Sequence, residues 1–230
     1  AGGPPAAQLG GIEQWADAAR RLAAGKTWVE VGSAAALCDD YWQAILASGV
    51  TACRRDPAWI DWRYFQHPHI DYTVLTTDAA QSGGVAVVRL ASIPKLECSV
   101  LRLLEFLPTP GSEESLAGAV ARHALDRGCA MVDFFCAHDT WNSRLPAAFV
   151  RFDEHRTHNL PYLLQPPEWR ERRSINLLSL RNRAKRRSLK PLPCGQIYLT
   201  KGDGAQDIAL NQGYRSAHLR GRDEASEQRP

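Results

Sequence analysis

The 230-residue chain has no long hydrophobic run, no closely spaced cysteine pair and no large excess of charge. No apolar stretch reaches the ~18 residues that a membrane-spanning helix requires, so no span is predicted. The six cysteines are scattered and include no Cys-x-x-Cys pair. Several fall within predicted strands or helices, where a thiol packs as a small apolar group, so we expect reduced cysteines and a cytoplasmic protein. The net charge of +3 is too small to indicate nucleic-acid binding by itself.

The composition is that of a globular protein with a sizeable core. Hydrophobic residues make up 44% of the chain and charged residues 23%, both ordinary values. No signal-peptide pattern is visible, and the first residue is Ala1, so we expect a processed chain or a piece of a longer one. The pattern divides the sequence into an N-terminal extension (1–34), a main domain (35–200) and a C-terminal tail (201–230).

The clearest secondary-structure pattern, in Ser99–Cys136, predicts a strand, a turn, a helix and a second strand. Ser99–Leu107 is β-rich and apolar, and the prolines and glycine of Leu107–Gly111 then enforce a turn. Ser112 is a suitable N-cap for a helix that Gly128 ends, and Ala130–Cys136 forms the next strand. A helix between two buried strands fits a right-handed crossover that joins parallel neighbours.

The remaining pattern predicts further helices and strands on both sides of this unit. The expected helices are an amphipathic one from Ile12 to Ala23, one that Ser33 caps and Gly49 ends, one that Asp56-Pro57 opens, Asp139–Val150 and Glu168–Arg187. The expected strands are Thr27–Val31, an antiparallel hairpin of Tyr72–Thr76 with Gly84–Leu90, Asn159–Gln165 and Gln196–Thr200. Together these elements predict an α/β (α+β) fold with a mixed sheet and flanking helices.

This order of elements resembles the GNAT superfamily of acyl-CoA-dependent N-acyltransferases over roughly Ala35–Gln165. Two stretches carry the resemblance further: Arg55–Tyr64 with His67-Pro68 behind it, and Tyr198–Asn211. Both are similar to segments of GNAT proteins from cell-surface polysaccharide gene sets. The resemblance implies a GNAT-like domain, an acyl-CoA co-substrate such as acetyl-CoA, and a small-molecule amine acceptor, for example an amino sugar of envelope polysaccharide.

In the family, the loop after the first long strand holds the pyrophosphate of coenzyme A with its backbone amides, at a helix N-terminus. The matching cofactor-binding positions here are Leu107, Thr109, Gly111 and Ser112. The loop departs from the family's glycine-rich pattern, because it contains one glycine, two prolines and no basic residue, and Glu113 and Glu114 follow it. This departure favours an alternative function as a catalytically silent GNAT-like scaffold or binding module.

One residue matches a catalytic position of the family, and another is only a replacement, because the predicted helix Asp139–Val150 contains no tyrosine. Glu105 lies on the strand before the turn, where the family often carries its general base. Tyr162 is the nearest replacement for the tyrosine that protonates the departing thiolate, and Cys136 is another protic group nearby. A structural alternative stays open, in which Glu105 pairs with an arginine such as Arg89 or Arg102, because a buried carboxylate needs a partner.

Four residues are candidates for the acceptor site. Trp62 and Arg63 belong to an aromatic-rich helix whose rings cannot all face inward, so this pair is expected to border a cleft and stack on a sugar or acyl group. Asp133 and His138 flank the end of the second parallel strand, where α/β folds place ligands. Each of these residues has an alternative role as an ordinary core or strand-end group.

Two further patterns indicate other ligands less strongly. His67, His69 and Asp71 are close in sequence, but no helical Glu/His pair completes a site, so no metal is predicted. The basic segment from Arg170 to Lys190 would suit a phosphate backbone, an anionic small substrate or a solvated helix face. Little aromatic interleaving accompanies it, so nucleic-acid binding ranks third among the functions.

Overall fold

A five-stranded mixed sheet forms the centre of the computed structural model, which describes residues 16–48, 50–93, 97–136, 145–146, 149, 197–198 and 200. The strands, in chain order, are β1 (Val29–Glu30), β2 (Thr51–Ala52), β3 (Thr73–Thr76), β4 (Gly84–Ile93), β5 (Cys98–Pro108), β6 (Met131–Phe134) and β7 (Ile197–Tyr198). The order across the main sheet is β1-β3-β4-β5-β6. The first three pairings are antiparallel, and β5 and β6 are parallel.

The helices of the described part of the chain flank this sheet. They are α1 (residues 16–23), α2 (Asp40–Ala47), α3 (Pro57–Ile60) and α4 (Glu113–Asp126), with a 3-10 turn at Ala34–Ala36 and a π-helical turn at Asp61–Phe65. The prediction of a mixed α+β fold is confirmed. None of the described helices combines the length and the apolar character that crossing a membrane would need.

The predicted crossover is present with nearly the predicted bounds. Helix α4 leads from β5 to β6, and the two strands pair in parallel from Val100 with Met131 to Leu103 with Phe134. The helix buries Leu116, Ala117, Val120 and Ala124 against the sheet. Gly128 follows the helix at φ +64°, the left-handed conformation that commonly ends a helix.

The predicted hairpin is also present, and a bulge modifies its continuation into β5. Strand β3 pairs with β4, and β4 pairs with β5 along its whole length. The register shifts between Val87 and Val88, so that Val88 lies opposite Leu103 while Val87 lies opposite Glu105. Because adjacent strand residues point to opposite faces, the bulge places Glu105 on the other face of the sheet from Leu103.

Of the two predicted helix N-caps Asp56 and Ser33, the structure confirms the first and not the second. Asp56 caps α3 as predicted, because its carboxylate accepts a hydrogen bond from the Trp59 amide at 2.9 Å. Ser33 does not open a long helix. It precedes only the 3-10 turn, and α2 begins at Asp40 after an extended Leu37. The prediction that Ser33 caps α2 is therefore wrong, since the chain straightens before the helix starts.

A short second sheet brings a distant strand to the parallel edge. Strand β2 pairs in parallel with β7, Thr51 with Ile197 and Ala52 with Tyr198. Thr200 then forms an antiparallel bridge with Cys136, just after β6. The predicted strand at 196–200 is thus confirmed in its described residues, which belong to the same compact unit as the main sheet.

Other predicted elements lie largely or wholly outside the described residues. Only residues 145, 146 and 149 of the predicted helix 139–150 are described, and the strand 159–165 and the helix 168–187 fall entirely outside. The sheet itself already begins within the predicted N-terminal extension, at Val29.

Candidate functional site

A buried carboxylate on β5 is the centre of a polar cluster. Glu105 Oε1 accepts hydrogen bonds from Arg55 Nε at 3.1 Å, the Tyr64 hydroxyl at 2.9 Å and Thr200 Oγ1 at 3.1 Å. Its Oε2 accepts one from the Tyr198 hydroxyl at 3.1 Å. We call these five residues the Glu105 cluster. Glu105 and Arg55 are both 0% exposed, so the cluster is closed to solvent.

Arg55 is held on several sides as well as by the carboxylate. Its Nη1 donates to the Cys53 carbonyl at 3.1 Å, and its guanidinium carbon lies 4.4 Å from the centre of the Trp59 ring. The Tyr198 ring is 5.5 Å from the same carbon. A cation between two aromatic rings gains from their quadrupoles, more so where water is excluded. Arg55 is therefore fixed in the core as the counter-ion of Glu105.

The Tyr198 hydroxyl contacts the backbone of β5 beyond the last described pair with β6. Strand β6 accompanies β5 only as far as Leu103, whereas β5 continues to Pro108. Beyond that point, the Phe106 amide donates to the Tyr198 hydroxyl at 3.1 Å, and the Phe106 carbonyl lies 3.4 Å from the same oxygen. The Tyr198 side chain thus makes hydrogen bonds to the backbone of β5 of the kind that strands make to each other.

Burial keeps the tyrosines of this region in their neutral form. Burial, followed by the nearby Glu105 carboxylate, raises the pKa of Tyr64 and the pKa of Tyr198 well above the usual value. Burial, with Asp39 next in importance, also raises the pKa of Tyr41, whose hydroxyl is buried without a hydrogen-bond partner in the described structure. All three phenols therefore carry their protons at neutral pH, and those of Tyr64 and Tyr198 act as donors to Glu105.

The π-helical turn Asp61–Phe65 separates an inward from an outward aromatic side chain. Tyr64 points into the core and packs edge-to-face with Trp59 and Tyr72. Trp62 is 65% exposed, and Arg63 lies with its guanidinium carbon 5.6 Å from the Tyr64 ring. Single π-helical turns occur often at functional sites. The exposure of Trp62 agrees with the expectation that one of these rings faces outward.

A groove lies beside the predicted cofactor loop. It has a volume of about 310 Å³ and is formed by the end of α2 and the turn between β5 and α4. Its lining residues are Ala44, Ala47, Ser48, Pro108, Pro110, Gly111 and Glu113. Of the predicted cofactor positions, Gly111 lines the groove, while Leu107 is buried in the core.

The hydroxyls of this turn are engaged with each other and with the connection between β3 and β4. Thr109 Oγ1 donates to Ser112 Oγ at 2.9 Å, and Ser112 Oγ lies 2.7 Å from the Gly83 carbonyl. Ser112 precedes α4 as predicted, but its side chain makes no capping hydrogen bond to the helix. The expectation of a side-chain N-cap is wrong, because the hydroxyl faces the β3–β4 connection instead.

The other sequence candidates are dispersed. Asp133 is half-buried on β6, opposite Arg102 in the parallel register. His138, Tyr162 and the basic segment 170–190 lie outside the described residues. His67 and His69 stack edge-to-face, and no group of three or more metal-ligating side chains occurs in the part of the chain that the structure describes.

The sequence indicated the central residue of the cluster but not its partners. Glu105 does pair with an arginine, one of the two alternatives, but the ion-pair partner is Arg55 and not Arg89 or Arg102. Arg55 and Tyr64 belong to the segment that suggested the family resemblance, and Tyr198 opens the second such segment. Those two stretches therefore meet at Glu105 in the fold, which their separation along the chain does not reveal.

The chain matches no family model, no curated protein and no solved structure. The resemblance to the GNAT superfamily therefore stays a prediction from the sequence.

Proposed function

We propose that the protein is an acyl-CoA-dependent N-acyltransferase that acts on a small-molecule amine, such as an amino sugar of cell-envelope polysaccharide. One observation carries this proposal: the parallel strands β5 and β6 stop pairing at Leu103 and Phe134, while β5 continues to Pro108. Ligands of α/β folds bind at the carboxyl ends of parallel strands, beside the N-terminus of the crossover helix. The groove at the β5–α4 turn lies at that end of β5.

The groove has the size of a small-ligand site but a mixed lining. Its volume of about 310 Å³ lies at the lower end of the range for such sites. Alanines and prolines provide apolar surface that suits an acyl or pantetheine chain, whereas the Glu113 carboxylate opposes a diphosphate. In this proposal, backbone groups of Leu107–Gly111 contact the thioester end, and acetyl-CoA or another acyl-CoA is the donor.

The charge at Glu113 gives a direct test of donor binding. Glu113→Gln should tighten binding of acetyl-CoA about 2- to 5-fold, the effect of a charge of this kind at a helix N-terminus. Glu114→Gln is the matched control, since Glu114 is the adjacent carboxylate and is not among the residues that line the groove. Isothermal titration at two salt concentrations measures both. Equal affinities for the two variants would remove the groove as the donor site.

The proposed chemistry assigns the amine proton to Glu105, directly or through water, and the thiolate proton to Tyr162. Four donors surround the Glu105 carboxylate and fix its position on β5. Glu105→Gln should lower turnover of acetyl-CoA with an amine acceptor by roughly 10²–10⁴-fold, the effect that is typical of losing a general base. Binding of acetyl-CoA should persist. Unchanged turnover would remove Glu105 from the reaction.

A second candidate is a catalytically silent GNAT-like binding module. The observation that favours it is the engagement of both Glu105 and the Phe106 amide by Tyr198, which leaves neither group facing solvent. A silent module should show no rise in melting temperature with acetyl-CoA, whether or not Tyr198 is altered. A thermal-shift screen against acyl-CoA thioesters and nucleotide-sugars separates the two candidates.

A further inference from the structure

We propose that His123 and Asp126 on α4 form a proton-sensitive latch for the N-terminal arm, which we define as residues 16–28. While His123 is neutral, Trp28 is docked on α4 and holds the arm in place. When His123 takes up a proton, the equilibrium shifts toward release of Trp28 and the arm. This conformational change is a property of the fold and does not depend on the proposed function.

The arm is docked along one side of α4. Trp28 Nε1 donates to Asp126 Oδ2 at 2.9 Å, and the Trp28 and His123 rings meet edge-to-face with their centres 4.4 Å apart. Nearer the start of α4, a Cβ added to Gly118 would lie 2.8 Å from the Leu22 carbonyl oxygen. Because glycine has no Cβ, the arm backbone can approach the helix this closely. The contacts therefore extend along α4 from Gly118 to Asp126.

The docked state favours the neutral form of His123. The side chain is 2% exposed, and its Nδ1 is buried without a hydrogen-bond partner in the described part of the chain. An imidazolium carries a proton on both ring nitrogens, so Nδ1 would then be a buried donor without an acceptor. Burial, followed by the charge of Arg127, lowers the pKa of His123, which agrees with this geometry. Withdrawal of Trp28 would open the ring to water and remove the conflict.

Asp126 links proton uptake to the arm because it binds Trp28. Its Oδ2 accepts from Trp28, and its Oδ1 lies 2.8 Å from Arg122 Nη2. The hydrogen bond from Trp28, supported by Arg122, lowers the pKa of Asp126, so the carboxylate is ionised at neutral pH. Asp126 follows His123 by three residues, a spacing at which side chains on a helix are neighbours. Release of Trp28 therefore frees Oδ2 for the imidazolium.

The other charged groups around α4 do not provide an alternative partner for His123. Among the described residues, Arg127 and Asp126 are the charges that shift its pKa, and they act in opposite directions. In the arm, Lys26 is half-buried, and the exposed charges are Asp17, Arg20 and Arg21. The charged residues of the main sheet are Glu30, Arg89, Arg102, Glu105 and Asp133. Asp126 is therefore the carboxylate assigned to the imidazolium in the released state.

Hydrogen exchange of the full chain between about pH 7.5 and pH 5.5, corrected for the intrinsic effect of pH on exchange, tests the latch. Leu22 and Ala23 are also packed in the core, so the released form is a minor population, which exchange detects. A helix as short as the described part of α1 is not stable alone, so its amides report release. Exchange of residues 16–28 should become faster by up to about 10-fold per pH unit below ~6.5, while the amides of α4 keep their protection.

Two histidine variants assign the effect. His123→Phe keeps a ring against Trp28 and removes the titrating group, so exchange of its arm should not depend on pH. His69→Phe is the matched control, since His69 is an exposed histidine outside α4, and this variant should behave as the unaltered chain does. If His123→Phe does not fold, His123→Gln, which is also neutral at every pH, takes its place.

Several results would overturn the latch. One is exchange of the arm that does not change with pH in the unaltered chain. Another is slower exchange at low pH, which a cation–π contact between the imidazolium and Trp28 would produce. Faster exchange that α4 shares, or that the His123 variants retain, would also overturn it. None of these measurements involves an acyl-CoA, so their outcome leaves the proposed function untouched.

Discussion

Removal of the Arg55 guanidinium should destabilise the fold far more than removal of its neighbour Arg54. Arg55→Met deletes the cation beside Glu105, at a site where both side chains are 0% exposed. Breaking a buried ion pair by removing one partner typically costs ~3–5 kcal/mol, because the other charge stays buried. Hydrogen bonds from Tyr64, Tyr198 and Thr200 still solvate the carboxylate, so we expect the lower end, about 3 kcal/mol.

Arg54→Met is the control for this measurement. Arg54 also pairs with a carboxylate, that of Asp56, but its side chain is 73% exposed. An exposed pair contributes ~0–1 kcal/mol, so the control should change the free energy of unfolding by no more than that. Urea denaturation followed by tryptophan fluorescence measures both variants on the full chain.

A double-mutant cycle then isolates the interaction between the two charges. Glu105→Gln alone leaves Arg55 buried without its counter-ion, whereas the double variant removes both charges. The double variant should be more stable than the sum of the single effects predicts, by roughly 2 kcal/mol or more. If Arg55→Met lowered the free energy of unfolding by less than ~1 kcal/mol, as Arg54→Met should, the reasoning would be refuted, since a carboxylate that is buried without its counter-ion should destabilise the fold by more than that.

Three further predictions test other parts of the structure. Gly84→Ala should destabilise the fold by more than ~2 kcal/mol, because a Cβ at φ +88° would meet the backbone of β5. Gly111→Ala, at φ +82° in open space, should lower the free energy of unfolding by only ~1 kcal/mol. Thermal denaturation compares the two variants. Burial, with a smaller contribution from Arg127, lowers the pKa of His123. The contribution of His123 to the free energy of unfolding should therefore be complete above the ordinary pKa of histidine and should fall at lower pH, by up to ~1.4 kcal/mol per pH unit. His123→Phe should abolish this fall in urea melts at pH 7 and pH 5, and an unchanged fall would assign it to other groups. Trp62→Ala should change the melting temperature little, because the ring is 65% exposed, but should raise the KM for the proposed amine acceptor; an unchanged KM would exclude Trp62 from the proposed acceptor site.

The local pattern predicted the elements that neighbouring residues determine. The crossover from β5 through α4 to β6 follows from apolar strands, a proline-rich turn and a helix that ends near Gly128. The cap at Asp56 follows from its position directly before Pro57. In each case the residues belong to one continuous stretch of the chain, at most Cys98–Phe134, so propensity and periodicity are sufficient.

The parts that could not be predicted depend on contacts between distant segments. The bulge opposite Val87 and Val88 reverses the face of Glu105, so simple alternation along β5 gives the wrong side. The partners of Glu105 lie 41 to 95 positions away, and nothing in the local pattern around Glu105 names them. The π-helical turn that aims Tyr64 inward has no sequence signal of its own.

The separation between Glu105 and Thr200 has a consequence for synthesis of the chain. Arg55 and Tyr64 leave the ribosome before Glu105, but Tyr198 and Thr200 follow it by 93 and 95 residues. At typical elongation rates of roughly 5–20 residues per second, the nascent sheet therefore waits about 5–20 s for these two hydroxyls. During that interval Glu105 lacks two of the four donors that surround it in the complete fold, and the Phe106 amide lacks its bond to the Tyr198 hydroxyl.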